Sequence, residues 1–367
     1  MTQAILGNAA HPEYGVATIP FPIPRTEYAN CVALLEALEI GDARDRDCQV
    51  QEVCGSWPAL KRLENQLVNL DELDYLAKRL DSFSSGELAQ FQALAEKWEL
   101  RDMTDLINLS FCCQEATVIT DFSDLEAVGR SHYLNIHSGC TSVQELEELD
   151  ARETALLLID SEAGTVTPYG VVYDNGTTLE PVYDGQRLPC FTYAPAVLMV
   201  ALRSRLEPDD TPRVTWLYLP TDEEQLHRAL LRSGIADPAD FRFRLEDSVF
   251  PAAVEAVLEL ESIYELNRLA QAVDRLPWDQ RMKLGAVAAM AECRVQGTLE
   301  PEELDCLKDY IAGQTSDGWG EGFEQREIPV ADGELYVHLW SFTGWEIQTE
   351  EERFGQHQES LRFEQSF

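Results

Sequence analysis

The chain has 367 residues, with 66 Asp and Glu against 28 Lys and Arg, a formal net charge of −38. Its hydrophobic content of 45% and aromatic content of 9% exclude a disordered acidic polymer. The charge disfavours direct binding to nucleic-acid phosphate, and it exceeds the magnitude of roughly 2–8 that keeps a small domain soluble. Such an excess costs self-repulsion, so it asks for a purpose. A basic partner surface is the simplest one. Adaptation to high salt is the other, and the scarcity of lysine (Lys61, Lys78, Lys97, Lys283 and Lys308) fits it equally.

The start, Met1 to Asn8, has no basic segment followed by an apolar core, so no secretory signal is expected. The longest apolar run, near Ala194 to Leu202, is too short to span a bilayer. These features predict a cytoplasmic protein with no membrane partner. Nine cysteines with no CxxC spacing predict reduced thiols, no metal and no cofactor.

In chain order, Ile23-Pro24-Arg25-Thr26-Glu27 opens a predicted helix whose apolar positions are Val32, Leu34, Leu35 and Leu38, closed at Ile40-Gly41-Asp42. A helix is predicted over 69–80, where the pattern is x-Φ-x-Glu-Leu-x-x-Leu-Ala-x-x-Φ with Φ apolar. Leu88, Phe91, Leu94 and Ala95 continue as a helical cluster, followed by Met103-Thr104-Asp105-Leu106. Leu146, Leu149, Ala155 and Leu156 predict one acidic helix. Ala163 to Gly170 reads as a turn into a strand, and Val171-Val172-Tyr173 followed by Asp174-Asn175-Gly176 reads as a hairpin.

The earlier pattern then returns. Leu219-Pro220-Thr221-Asp222-Glu223 opens a helix with Leu226, Leu230 and Leu231, closed at Ile235-Ala236-Asp237, and residues 262–273 repeat the 69–80 pattern. Leu284, Val287 and Ala288, then Pro301-Glu302-Glu303-Leu304, complete a second copy. The copies span roughly 17–115 and 213–311. Ile328-Pro329-Val330, Glu334 to Trp340 and Trp345-Glu346-Ile347 predict a β-rich end.

Catalytic patterns are scarce. The chain has no P-loop, no HExxH and no GxSxG. Gly318-Trp319-Gly320-Glu321-Gly322 lies within the β-rich end, where a tight turn is expected. His132, His137 and Cys140 read as loop residues, and the adjacent Cys112-Cys113 pair has poor metal spacing. No catalytic residue is singled out, so the chain is not expected to be an enzyme; an enzyme without a recognisable site is the weakest alternative.

These pieces resemble the ArdA antirestriction family of mobile genetic elements. The resemblance is carried by Leu219 to Glu223, by the Glu-Leu-x-x-Leu-Ala segments at Glu72 to Ala77 and Glu265 to Ala270, and by Leu149-Asp150-Ala151-Arg152-Glu153 followed by Glu162 to Thr167. The last resembles the family's acidic helix leading into a Gly-Gly-x-Phe-Thr turn, with Ala163 and Val166 in place of a glycine and the aromatic. The resemblance implies a DNA mimic that occupies the DNA-binding groove of type I restriction–modification enzymes and evades host defence. It implies an elongated α+β protein of several small subdomains, with tandem ArdA-like units and a C-terminal β-rich tail. Many members dimerise, which makes a homodimer one candidate assembly.

The expected organisation is a first unit over 1–130, an acidic helix with a β-hairpin over 131–205, a second unit over 206–312 and the tail over 313–367. The expected contact acids lie on helical faces taken to be exposed: Asp71, Glu72, Asp74, Glu145, Glu147, Glu148, Asp150, Glu255, Glu259 and Glu265. The partner is a type I restriction–modification enzyme or another basic DNA-binding protein. The alternatives are an acidic adaptor and an inhibitor of a different nucleic-acid-binding defence protein.

Overall fold

The computed structural model describes residues 2–137, 139–205, 214–234, 241–248 and 262–275, and the backbone of three further strands. Helices and antiparallel sheets make it an α+β protein. By contacts the chain divides into two compact units. One comprises Met1–Tyr193 with Glu224–Ala236, the other Ala194–Glu223 with Asp237–Phe367.

The first unit opens with β1 (Thr2–Asn8), β2 (Val16–Phe21), α1 (Tyr28–Glu36), β3 (Cys48–Cys54) and β4 (Leu67–Val68). They form an antiparallel sheet of order β2-β1-β3-β4, with a register shift between Ile5 and Leu6. Strand alternation buries Ala4, Leu6, Ile19, Phe21, Val50 and Val53 on one side. Tyr28, Cys31, Val32 and Leu35 of α1 are buried at helical spacing, whereas Leu34 faces solvent.

Next come α2 (Leu70–Asp81), α3 (Ser85–Lys97) and α4 (Met103–Cys112). Each starts at a side-chain cap. Asn69 accepts from the amides of Asp71 and Glu72, Ser84 forms a capping box with Glu87, and Asp102 accepts from Thr104. Leu73, Leu76, Ala77 and Leu80 fall on the buried side of α2, as their spacing predicts.

The rest of this unit holds β5 (Thr117–Ile119), α5 (Leu125–Ile136), α6 (Val143–Glu148), α7 (Ala151–Asp160), β6 (Thr165–Thr167) and β7 (Gly170–Tyr173). Two expectations change here. The single acidic helix is two, because Leu149 turns extended and the Asp150 side chain caps a new helix by accepting from the Glu153 amide. The hairpin is β6–β7, one turn earlier than expected. The sheet order β5-β7-β6 pairs both sides of β7, so the residues after Asn175-Gly176 have no open edge to join. The Asn175 side chain instead donates to the Glu115 carbonyl at 2.7 Å and ties that turn to the end of α4.

The second unit contains β8 (Leu198–Ser204), β9 (Thr215–Leu219), β10 (Phe241–Ser248) and α9 (Ile263–Asp274). The intervening α8 (Glu223–Arg232) belongs almost wholly to the first unit. The sheet order is β10-β8-β9, and α9 packs on β9 through a side that buries Ile263, Leu266, Leu269, Ala270 and Val273. Backbone strands β11 (Arg326–Val330), β12 (Leu335–Leu339) and β13 (Trp345–Thr349) form an antiparallel meander, where the sequence predicts strands.

The two larger sheets share one strand order. In each, the first strand is central, pairing on one side with the next strand and on the other with the strand that follows a crossover helix. The shared order includes a common hydrogen bond. The Ile23 amide donates to Asp74 Oδ1 at 2.7 Å, and the Thr221 amide donates to Asn267 Oδ1 at 2.8 Å. Asp74 and Asn267 hold the same place in the two helical patterns. This contact puts Ile23 opposite Thr221, two residues from the alignment that sequence similarity predicts at the helix entry. The predicted parallels at 284–288 and 301–304, and the Gly318–Gly322 turn, lie outside the described residues.

Candidate partner-binding surface

The acidic segment is shaped by its caps. Thr141-Ser142 precedes a helix whose third position is Glu145, the sequence of a capping box. Glu145 Oε2 accepts from the Ser142 amide at 2.8 Å, the Ser142 hydroxyl at 2.8 Å and the Thr141 hydroxyl at 3.0 Å. The Ser142 amide, then the two hydroxyls, hold this carboxyl below the usual range, so it keeps its charge as pH falls. Glu148 accepts from Gln144, Asp150 caps α7, and Asp124 caps α5 through the Ala127 amide.

Glycine lets α5 and α7 meet. An added Cβ on buried Gly129 would lie 1.7 Å from the Ala151 carbonyl oxygen, so the helices approach backbone to side-chain-free backbone. Ala155 and Leu158 are buried on α7, and Leu158 packs in a small cluster with Ile119 and Tyr173. Beside this crossing is an open cleft of about 380 Å³ lined by Glu126, Arg130, Glu148, Asp150 and Arg152.

From Asp121 to Glu162 the chain has ten Asp and Glu against Arg130 and Arg152, a net charge of −8. All ten acids are exposed. They include the expected contacts Glu145, Glu147, Glu148 and Asp150, and also Asp121, Asp124, Glu126, Glu153, Asp160 and Glu162. The latter six are not among the expected contacts, although Glu153 falls on the predicted acidic helix. The signal that finds them is the local dearth of Lys and Arg.

The expectation of an exposed face fails for Asp71, Glu72 and Asp74. Glu72 is 2% exposed and Asp74 3% exposed, and the Asp71 side chain is 10% exposed. These acids face inward because cations and hydroxyls await them there. Asp71 accepts from Arg228 at 2.9 Å and from the Tyr28 hydroxyl. Glu72 takes both a 2.9 Å and a 3.3 Å bond from Arg46 and a 2.6 Å bond from the Tyr183 hydroxyl. Asp74 pairs with Lys78 at 2.7 Å and accepts from the Ile23 amide; burial outweighs both and raises its carboxyl above the usual range. Glu265, on α9, is half-buried and pairs with Arg268 at 2.6 Å. Glu255 and Glu259 lie outside the described residues.

The histidines near Cys140 have local roles. His132 Nδ1 is 2.9 Å from the Thr117 hydroxyl, with burial lowering its pKa, and His137 Nδ1 is 2.7 Å from the Tyr133 carbonyl. Among the described residues no group of three or more His, Cys, Asp or Glu is placed to hold a metal ion, and no helix is long and apolar enough to cross a membrane. What the α5–α7 segment can do chemically is present fixed negative charge to cations. Compared with known proteins, no family model, curated protein or solved structure matches the chain.

Proposed function

We propose that this protein is a DNA-mimic antirestriction protein whose exposed carboxylates occupy the DNA-binding groove of a type I restriction–modification enzyme. One observation carries the reading: ten exposed acids against two arginines between Asp121 and Glu162, several of them fixed by helix caps. A groove that loads duplex DNA uses Lys and Arg to neutralise about one charge per 1.7 Å of axis. Carboxylates on a folded support meet those cations without paying for chain ordering at the moment of binding. The common strand order of the two larger sheets supports tandem ArdA-like units. The mechanism needs no catalytic residue and no cofactor, and it acts in the cytoplasm, where the target works.

The test is a titration into a type I restriction enzyme bound to labelled duplex. Displacement at stoichiometric amounts, weakening steeply with added salt, is the expected result. If duplex stays bound in a stable ternary complex, the protein is an adaptor. If it stays bound with no complex, the antirestriction reading is wrong, and the same titration against other DNA-dependent defence nucleases decides between targets.

A further inference from the structure

A polar cluster joins α5 to the small sheet. Val128, His132 and Asn135 fall on one side of α5 at helical spacing. Val128 packs against Ile119, Leu158 and Tyr173, while His132 and Asn135 meet the start of β5 through hydrogen bonds. The Asn135 amide donates to the Ala116 carbonyl at 2.9 Å and to the Thr117 hydroxyl at 3.4 Å. The Asn175 amide, on the turn after β7, donates to the Glu115 carbonyl at 2.7 Å and to the same hydroxyl at 3.0 Å. Gln90 of α3 also donates to the Ala116 carbonyl, at 2.5 Å, so α3 and the Asn175 turn fix this frame independently of α5.

The network specifies the state of His132. A hydroxyl has two lone pairs and one hydrogen. The two amides take the lone pairs of Thr117, so its hydrogen goes to His132 Nδ1 at 2.9 Å. Nδ1 is then a bare acceptor, the ring proton sits on Nε2, and the imidazole is neutral. A proton on Nδ1 would set an N–H against an O–H. Thr117 can accept it only by releasing an amide and turning its own hydrogen away, and Thr117 is 2% exposed, where an unmade bond costs the desolvation of the group. Among the described residues no charge is placed to offset that cost. On the elements packed against α5, Glu115 of the turn Cys113–Glu115 and Arg152, Glu153 and Asp160 of α7 are exposed, β5 carries no charged residue, and Cys113 is a buried thiol that burial pushes up, hence neutral. Asp174, next to Asn175, pairs with Lys97 at 2.7 Å. On α5 itself Glu126 and Arg130 are exposed, and the rings of Tyr133 and His137 lie against each other. Burial alone holds the His132 pKa below its ordinary value.

We propose that His132 is an acid-sensitive latch: while neutral it holds α5 to β5, and its protonation releases the helix from the sheet. The stability it supplies is complete above the unfolded imidazole pKa of about 6.5 and is lost as pH falls below that toward the lower folded value. Gly129 of α5 abuts the Ala151 backbone of α7, so release withdraws support from the acids on α6 and α7. Only that consequence for partner binding rests on the antirestriction reading.

The experiment follows hydrogen exchange of the full chain, corrected for the intrinsic rate at each pH, in α5 (125–136) with α3 (85–97) as internal reference. Between about pH 7.5 and about pH 5.5, α5 of the wild type should lose about threefold or more of its protection relative to α3. H132N puts an oxygen where Nδ1 stands and carries no charge at any pH, so its α5 should lose none. No relative loss in the wild type, or the same loss in H132N, overturns the proposal. If circular dichroism shows H132N unfolded, nitrogen-15 spectra of the wild-type histidine rings replace it. His132 should then show a bare Nδ1 and a protonated Nε2 at about pH 7.5, and its titration should coincide with the loss of protection in α5. A protonated Nδ1 at that pH, or titration with α5 intact, overturns the proposal. Failure to displace duplex at every pH would sink the antirestriction reading alone and leave the latch standing on its exchange data.

Discussion

Glu72→Gln separates an acid that builds the protein from one that meets a partner. The substitution keeps the side-chain shape and removes one negative charge from a site 2% exposed. It leaves an amide facing Arg46, which donates twice to the carboxylate, and facing Arg232 at 3.9 Å. Breaking a buried ion pair from one side costs about 3–5 kcal/mol. Arg46 is 30% exposed and keeps Asp102 and Thr104, so the loss here falls at about 2–3 kcal/mol by that scale. With a urea slope of about 2 kcal/mol/M, the midpoint of the first unit's transition should drop by about 1–1.5 M. Urea titration followed by fluorescence gives this number, with duplex displacement measured on the same sample below the transition. Displacement should survive wherever the fold does. A variant as stable as wild type that nonetheless fails to displace duplex would refute the reasoning and return Glu72 to the contact surface.

The opposite pattern is expected on α6 and α7. E145Q, E147Q, E148Q and D150N together keep the caps, because Gln and Asn serve those positions too; the urea midpoint should stay close to that of wild type while displacement weakens at least tenfold, and each single change should weaken displacement by no more than about fivefold. Asp74→Asn should be tolerated within about 1 kcal/mol, since Asn267 makes the equivalent bond in the second unit and burial already disfavours the charge. The sign follows from linkage: a carboxyl raised on folding contributes stability that is present below its unfolded pKa of about 3.9 and is lost as pH rises through the folded value, so D74N should gain on wild type as pH rises above about 4 in urea melts. Gly129→Ala forces a methyl onto the Ala151 carbonyl and should cost about 1–3 kcal/mol or more, seen as loss of amide-exchange protection in α5 and α7 ahead of the rest.

Much of the local structure was written in the sequence. The period of Leu73, Leu76, Ala77 and Leu80 gives α2 and its buried side, and the same pattern at 262–273 gives α9, because apolar spacing and capping act within a few residues. The density of acids between Asp121 and Glu162 was equally legible, as were the strands near the C-terminus. The tertiary structure decided where charge ends up. The polar positions of α2 look like a solvated stripe in one dimension, yet Arg46, Arg228 and Tyr183 arrive from distant parts of the chain to close over them. It also decided that β7 pairs with β5 rather than with the residues after its own turn, and that α8 leaves the strands flanking it to join the first unit. Such choices depend on partners far apart in sequence, whose attraction exists only once the chain has folded enough to bring them together.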